Sequence, residues 1–354
     1  MTPLAESLIR RIGATGPITI AEYMTDCLLH PEHGYYSTRD PFGAGGDFTT
    51  APEISQMFGE LIGLALAQAW LDQGAPTPFT LAELGPGRGT LMADLLRATR
   101  DVPGFHAAAR VHLVEASPTL RERQKQTLET YEITWCGSAD NLPDAPLFLI
   151  ANEFFDALPI RQFVRDEGGW RERQVALIDG QLALALSTPA PIAELDHRLG
   201  DTRPGDLVET CAPARAVMQA IASRVAGHGG AALVIDYGDW RSLGDTLQAL
   251  RGHQSENPLA SPGDADLTAH VDFEALAKAA TGLAHTAMTP QGVFLERLGI
   301  TPRAQALARN LQGKALEAHI AAHRRLTHPD EMGSLFKTIA FHSTETSAPP
   351  GLQG

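Results

Sequence analysis

The chain has 354 residues, of which 44% are apolar, enough to bury a sizeable core in one large α/β domain or two smaller ones. Its formal net charge of -14 argues against a nucleic-acid partner, because an acidic surface without a basic stripe repels phosphate backbones. The three cysteines, Cys27, Cys136 and Cys211, form no Cys-x-x-Cys pair, so neither a disulfide framework nor a metal site is predicted.

The sequence gives no signal for membrane insertion. Residues 1–17 lack the apolar run of a signal peptide, and no stretch is long enough to span a bilayer. With cysteines suited to a reducing compartment, this predicts a cytoplasmic protein without a membrane span. The acidic surface would also attract a basic protein substrate, and the alternative is that the charge serves solubility alone.

The first large predicted element is a long buried helix that starts at Pro52, within an N-terminal helical segment covering residues 1–75. Its apolar residues recur at helical spacing, namely Ile54, Met57, Phe58, Leu61, Ile62, Ala65 and Ala69. The loop before it contains Gly43, Gly45 and Gly46, whose flexibility would let the loop close as a lid. The alternative is an ordinary glycine-rich connection.

Strands and helices then alternate. Short apolar runs at residues 79–84, 110–115, 146–152 and 231–237 predict strands, and amphipathic segments at 90–100, 117–131 and 213–226 predict helices. Strands separated by helices pair in parallel through right-handed crossovers, so the prediction is a doubly wound α/β sheet with helices on both faces. A ligand is expected at the carboxyl ends of the strands.

Two regions interrupt this alternation in the predicted domain, residues 76–342. An insertion around 160–190 has the alternating pattern and glycine turns of antiparallel hairpins. A second insertion around 253–330 includes a helical excursion at 291–325, and residues 284–290 and 334–342 flank it as a closing pair of strands. Residues 343–354, rich in Ser, Thr, Pro and Gly, predict a disordered tail.

The central chemical signal is a strand that ends in Glu83 and is followed by Gly85, Gly87 and Gly89 and then by a helix. Glycine permits a tight turn and leaves room for a ligand to approach the main chain, and the helix start supplies free N–H groups. The acidic Glu83 could meet the ammonium group of a cofactor that carries an amino acid. This combination predicts a nucleotide-like ligand.

Acidic residues follow the next strands. Glu115 ends the second strand, where an acidic side chain hydrogen-bonds ribose hydroxyls in dinucleotide folds. The alternative for Glu115 is a solvated strand end. Asp140, in the small polar loop at residues 137–141, either accepts a hydrogen bond from an adenine amino group or caps a helix.

The predicted strand at 146–152 runs into the segment 152–159, which places an amide, two carboxylates and two aromatic rings at the predicted active edge. Carboxylates accept a guanidinium in bidentate fashion, and they can take a proton from a bound cationic acceptor. Glu153 and Asp156 are therefore the predicted catalytic pair, and Asp236 and Tyr237 would line the opposite wall. A glycosidase pair is the less favoured alternative, because no series of sugar-binding aromatics accompanies the acids.

Two further candidates for contact with the substrate lie late in the chain. His270 and Asp272 follow a loop rich in Pro and Gly and would contact an acceptor. The structural alternatives are a non-catalytic histidine and an aspartate that caps the helix starting at Phe273.

Several blocks together resemble the MidA family of S-adenosylmethionine-dependent methyltransferases, which includes the mitochondrial complex I assembly methyltransferase. The most distinctive is Gly-Asp-Phe-Thr-Thr-Ala-Pro-Glu-Ile-Ser-Gln at residues 46–56; the others are residues 33–36, 83–90, 152–159, 235–238 and 266–273. The resemblance implies a class I, Rossmann-like sheet of seven strands with S-adenosylmethionine as cofactor. It also implies cofactor contacts from Gly34, Tyr35, Asp47, Thr49, Pro86 and Asn152.

The family also suggests an acceptor. In its mitochondrial members the methyl group goes to an arginine of a complex I subunit, so a protein arginine is the expected acceptor here, and a homodimer is compatible with the sequence. Two other classes stay open: a non-catalytic assembly factor that keeps the cofactor-binding fold, and an NAD-dependent dehydrogenase on a similar sheet.

Overall fold

The computed structural model describes residues 1–38 and 49–353. Within them the helices are α1 (Pro3–Thr15), α2 (Ile20–Leu29), α3 (Tyr35–Thr38), α4 (Ala51–Ile54), α5 (Gln56–Asp72), α6 (Thr90–Ala98), α7 (Phe105–Ala108), α8 (Pro118–Thr127), α9 (Ala212–His228), α10 (Phe273–Ala279), α11 (Gln291–Arg297), α12 (Ile300–Ala308), α13 (Gly313–Thr327) and α14 (Met332–Leu335). Short 3-10 helices cover Ala139–Asn141 and Ala193–Arg198.

The strands in the same residues are β1 (Ile18–Thr19), β2 (Phe79–Leu84), β3 (Ala109–Val114), β4 (Ile133–Cys136), β5 (Leu147–Asn152), β6 (Arg161–Asp166), β7 (Gly169–Ile178), β8 (Gln181–Leu186), β9 (Leu207–Thr210), β10 (Gly230–Asp239), β11 (Gln248–Arg251), β12 (Gln254–Glu256), β13 (Asp266–Thr268), β14 (Val271–Asp272), β15 (Leu283–His285), β16 (Thr289–Pro290) and β17 (Phe336–Ser343).

The central sheet confirms the predicted architecture. Its main path runs β15-β17-β10-β5-β2-β3-β4, seven strands, and the short strands β14 and β16 extend it. Strands β10, β5, β2, β3 and β4 are parallel, and β17 lies antiparallel between β10 and β15. Every residue of β2 and β5 is buried, as expected for strands covered by helices on both faces.

Two apolar clusters show how helices cover the sheet. Alternate residues of β2, β5 and β10 point to opposite faces, so Leu81 and Phe148 belong to one cluster and Ala82 and Leu149 to the other. Helices α5 and α6 contribute to the first cluster, and α9 and α10 to the second. The carboxyl ends of the parallel strands are consequently left as the accessible edge of the sheet.

The insertion at 160–190 forms hairpins, as the glycine turns indicated. Strands β6, β7 and β8 pair antiparallel, and β1 and β9 complete a five-stranded sheet beside the main one. Asp179 and Gly180 make the turn between β7 and β8 with positive φ angles of 51° and 76°. This is the backbone that an Asp-Gly hairpin turn requires.

Two expectations differ from the structure. The long helix expected from Pro52 is divided, because Ser55 adopts an extended backbone between α4 and α5 and accepts a hydrogen bond from the Met57 N–H as the cap of α5. The tail is packed rather than disordered. Leu352 is 7% exposed and the Gln353 carbonyl accepts a hydrogen bond from the Ala287 N–H at 2.9 Å, an apolar anchor that a count of polar residues overlooks.

No helix in the described ranges combines the length and apolar character that crossing a bilayer requires.

Candidate active site

A cavity of about 610 Å³ lies at the carboxyl ends of β2, β3, β5 and β10. It brings together residues that are up to 311 positions apart, from Thr25 to Phe336. Six of the predicted site residues line it: Gly85, Gly87, Glu115, Glu153, Asp156 and His270. The sheet therefore assembles its candidate site at the edge that the strand order predicts.

Residues 85–89 form the glycine turn, of which Gly85 and Gly87 line one wall of the cavity. Gly85, Gly87 and Gly89 have φ angles of 59°, 51° and 83°, a region that L side chains rarely adopt. A Cβ at Gly85 would lie 2.9 Å from Cδ2 of Phe154, which is closer than two carbon atoms pack. Pro86 is buried and its carbonyl accepts the Gly89 N–H at 2.7 Å, which closes the turn.

Glu83 lies behind this turn and not on the cavity wall. It is 3% exposed, and burial raises the pKa of its carboxyl to about 8, although a hydrogen bond from the Met92 main chain opposes this shift. It is not among the residues that line the cavity. In this arrangement Glu83 secures the junction between β2 and α6, and a direct contact with a cofactor ammonium group stays a prediction.

Glu115 is placed as the strand order predicts. Its carboxylate is 8% exposed and accepts hydrogen bonds from the Ser117 N–H at 2.8 Å and from Nε2 of Gln124 at 3.2 Å. Burial raises its pKa and these donors lower it. An acidic group held in this way is suited to accept from ribose hydroxyls.

Asp140, unlike Glu115, does not line the cavity. It is exposed on the 3-10 helix Ala139–Asn141, and the cavity is lined by its neighbours Gly137, Ser138 and Ala139 instead. Its main-chain carbonyl accepts from Arg224 at 2.7 Å. The structure does not bring the Asp140 side chain to the cavity wall.

Residues 153–156, the acidic loop, form the floor of the cavity. Glu153 has a φ of 51°, which is uncommon for a residue with a side chain. Oδ2 of Asp236 compensates by accepting the N–H groups of Phe154, Phe155 and Asp156 at 3.2, 3.0 and 3.3 Å. The sequence placed Asp236 only on the opposite wall, whereas the structure shows that this buried carboxylate holds the loop.

The two predicted catalytic acids have raised pKa values. Burial raises the pKa of Glu153 to about 7 and that of Asp156 to about 6, and the neighbouring Asp156 charge adds to the shift at Glu153. A hydrogen bond with Tyr237 partly opposes the shift at Asp156. Asp156 is 6% exposed, and among the described residues its Oδ1 has no hydrogen-bond partner. Both acids therefore titrate near neutral pH, as a proton acceptor should.

The segment just before α5 is tied to this floor. The Ala51 N–H donates to Oε1 of Glu153 at 3.0 Å, and Glu53 pairs with Arg88 of the glycine turn at 3.7 Å. Thr49 is partly buried at the start of this segment, and Asp47 lies outside the described residues. The segment thus connects the two sides of the cavity.

Asn152 supports Glu153 rather than lining the cavity. Its Nδ2 donates to Oε1 of Glu153 at 3.0 Å, and it is 8% exposed. Its Oδ1 is buried and has no hydrogen-bond partner in the described part of the chain. Asn152 therefore orients the acid next to it.

Gly34 and Tyr35 pack beside the cavity, and the next residue reaches it. A Cβ at Gly34 would lie 2.4 Å from the His30 nitrogen, so Gly34 permits close packing of the chain, and Tyr35 is fully buried. Tyr36 lines the cavity and donates its hydroxyl to Oδ1 of Asp266 at 2.9 Å. Tyr36 and Asp266 lie in sequence blocks that carry the family resemblance, but nothing in their spacing singled them out as site residues.

His270 lines the cavity with its ring 5.4 Å from that of Tyr237, and burial lowers its pKa. Asp272 has the structural role that the sequence offered as its alternative, the capping of a helix. It caps α10 by accepting the Ala275 N–H at 2.8 Å and the Ser242 N–H at 3.1 Å.

The charge of the cavity is one-sided. Its walls carry four carboxyl groups, Glu115, Glu153, Asp156 and Asp266, whereas none of the described lining residues is a lysine or an arginine. Buried carboxylates are stabilised by a positive charge beside them, so the cavity is suited to a cationic ligand. S-adenosylmethionine fits this test, because it carries a sulfonium and an ammonium group and its ribose can reach a held acid such as Glu115.

Comparison with known proteins settles the class. Residues 61–291 match the model of a family of S-adenosyl-L-methionine-dependent methyltransferases. The chain belongs to this family. S-adenosylmethionine is its cofactor, and the sequence prediction of a methyltransferase is confirmed, so the dehydrogenase alternative falls away.

Relatives of this methyltransferase cover nearly the whole chain. It is 38% identical to the protein arginine methyltransferase NDUFAF7, mitochondrial, of Danio rerio over 96% of the chain and 87% of the relative. The human protein of the same name is 36% identical over 96% of this chain and 83% of its own length. A crystal structure from Burkholderia thailandensis bound to S-adenosyl-homocysteine has a TM-score of 0.84 and 31% identity, covering 98% of this chain and 93% of that one.

These relatives correct one expectation. The curated relatives are named as mitochondrial proteins, which contradicts the cytoplasmic location predicted from the methyltransferase sequence. The prediction relied on the missing apolar run of a signal peptide and on cysteines suited to a reducing compartment, and neither property distinguishes one reducing compartment from another.

Proposed function

We propose that this methyltransferase transfers its methyl group to the guanidinium of an arginine in a protein. The observation that carries the proposal is the acidic floor, where Glu153 and Asp156 lie in a cavity whose described walls contain no lysine or arginine. A guanidinium offers a planar fork of donors to such a pair and remains protonated in water. The names of the relatives, protein arginine methyltransferases, point to the same acceptor.

Cofactor binding is assigned to the glycine turn and Glu115. The bare main chain at Gly85 and Gly87 lets the ligand approach closely, and Glu115 accepts from the ribose. When bound, S-adenosylmethionine supplies a methyl group on a positively charged sulfur. Displacement from sulfur proceeds in line, so the protein contributes mainly by aligning the acceptor nitrogen with that methyl group.

The acidic loop is assigned to the acceptor. Glu153 and Asp156 would bind the guanidinium in their ionised forms, and Asp156 would take the proton that the nitrogen loses when the methyl group leaves sulfur and bonds to it. Asp156 is preferred for this step because one of its oxygens has no hydrogen-bond partner among the described residues, whereas Glu153 already accepts from Ala51 and Asn152. His270 is retained as a candidate contact to the acceptor at the rim.

A more specific part of the proposal concerns the protein that carries the methylated arginine. The family resemblance suggests a complex I subunit as the protein that carries the arginine, and the acidic net charge of -14 favours a basic partner. A homodimer also stays a prediction, which light scattering of the purified protein tests.

The decisive experiment identifies the methylated residue. Extract from cells that lack this protein is incubated with the purified chain and with S-adenosylmethionine bearing a heavy methyl group, and mass spectrometry locates the label. The expected product is a methylarginine, in a complex I subunit if the more specific part of the proposal holds. Label on another residue type would rule out the arginine proposal. Cofactor binding without any labelled protein would favour the non-catalytic assembly factor.

A further inference from the structure

Gln124, which the sequence did not single out, lies between two cofactor-binding elements. It is fully buried on α8, and its Nε2 donates both to the Gly87 carbonyl, at 2.8 Å, and to Oε2 of Glu115, at 3.2 Å. One side-chain amide thereby connects the glycine turn with the acid assigned to the ribose. In the sequence Gln124 is an ordinary polar residue of a helix, and only the packing of α8 reveals the contact.

The orientation of this amide is determined by its partners. A carbonyl and a carboxylate can only accept, so both require the NH2 group. Oε1 of Gln124 accepts from Nε1 of Trp135 at 2.8 Å, and an indole nitrogen can only donate. The amide cannot be reversed without loss of all three hydrogen bonds, and its donors therefore stay directed at Gly87 and Glu115.

Helix α8 is itself fixed to the ends of the strands. Ser117 caps the helix by accepting the Leu120 N–H at 3.3 Å. One turn before Gln124, Arg121 donates through Nε to the Glu115 carbonyl at 2.8 Å and through Nη2 to the Cys136 carbonyl at 3.1 Å. The main chain of Glu115 is thus held by Arg121 and its side chain by Gln124.

We propose that Gln124 is a positioning residue for S-adenosylmethionine, acting through Gly87 and Glu115. By holding the Gly87 carbonyl toward α8, it orients that peptide plane, so the N–H of the same trans peptide points the opposite way. By donating to Oε2, it fixes the rotamer of the Glu115 carboxylate. This inference rests on the proposed placement of the cofactor at these two elements.

The test compares the affinity for S-adenosylhomocysteine, measured by calorimetry, between variants. Gln124→Met keeps the length of the side chain but removes both donors, and we expect binding about 10-fold to 100-fold weaker. Trp135→Phe is the matched control, because it removes only the third hydrogen bond of the same amide, and we expect a change of less than about 3-fold. Equal losses in the two variants, or none in either, would overturn the proposal.

A double variant separates positioning from general destabilisation. If Gln124 acts through Glu115, the loss in Gln124→Met/Glu115→Gln is smaller than the product of the losses in the two single variants. Losses that multiply would contradict the coupling. Glu115→Gln with normal affinity would instead show that the cofactor placement is wrong. Where Gln124→Met does not fold, Gln124→Asn keeps the amide but is shorter by one methylene group, so its donors no longer reach both Gly87 and Glu115, and binding should again be weaker.

Discussion

The glycine turn and the acidic loop lie at the carboxyl ends of adjacent parallel strands, but they are built in different ways. The turn has positive φ angles at three glycines and offers its main chain to a ligand. The loop has a positive φ at Glu153, which has a side chain, and it offers carboxylates. Glycine adopts such a backbone without strain, whereas Glu153 depends on contacts from elsewhere in the chain.

Those contacts come from distant residues. Asp236, on β10, accepts three consecutive N–H groups of the loop, and Ala51 donates to Glu153 from the segment before α5. The three glycines adopt their positive φ angles without such support, and the distant contact of the turn, from Gln124, orients one of its peptides. The backbone shape of the turn is therefore encoded locally, whereas the loop that presents buried charge depends on distant residues for its shape.

The largest effect is expected at the turn. Gly87→Val places a β-branched residue at a φ of 51° on the cavity wall and should abolish measurable binding of S-adenosylhomocysteine in calorimetry. Gly180→Val is the control, because Gly180 has a φ of 76° in a hairpin turn with nothing within 4 Å of an added Cβ. It carries similar strain away from the cavity and should retain affinity. Unchanged binding in Gly87→Val would remove the turn from the site.

At the acidic loop, replacing the proposed proton acceptor should slow methyl transfer without weakening cofactor binding. Asp156→Asn is expected to keep cofactor affinity within about 3-fold and to lower kcat by about 100-fold or more, because the amide cannot take the proton. Initial rates of methyl transfer measure this. Glu129→Gln, which alters an exposed acid, is the control and should leave the rate unchanged. Full activity in Asp156→Asn would remove Asp156 from the catalytic assignment.

The same contrast explains how far the sequence could predict the site. The glycine turn, Glu115 and the acidic loop were predictable because each follows directly from a strand end. The roles of Asp236 and Gln124 were not, since each depends on a contact across the fold, 80 or more residues away for Asp236 and 37 for Gln124. Asp140 was misplaced for a related reason, because position after a strand does not determine side-chain direction.

Burial of charge in the loop should also affect stability. The pKa of Glu153 is raised from 4.5 to about 7, so the folded state binds more protons between these values. Its contribution to stability is present below pH 4.5 and is lost as the pH rises through 7. Glu153→Gln should therefore stabilise the ligand-free protein by roughly 1 to 2 kcal/mol at pH 8, allowing for partial solvent screening. Urea unfolding at pH 8 and pH 5 measures this difference, and equal effects at both values would contradict the charge-based explanation.

The smallest effect is expected at Asp140, and it sharpens the comparison between two acids that follow neighbouring strands. Asp140 is exposed and away from the cavity wall, whereas Glu115 is buried on it. Asp140→Ala should change the affinity for S-adenosylhomocysteine by less than about 2-fold, because surface substitutions of this kind rarely alter free energies by more than a few tenths of a kcal/mol. Glu115→Gln, measured in parallel, should weaken binding by about 10-fold or more, since it replaces a charged acceptor for the ribose hydroxyls. If Asp140→Ala weakened the affinity as much as Glu115→Gln, the bound cofactor would have to draw the loop at residues 137–141 inward. The placement of the adenine end of the cofactor would then depend on that movement.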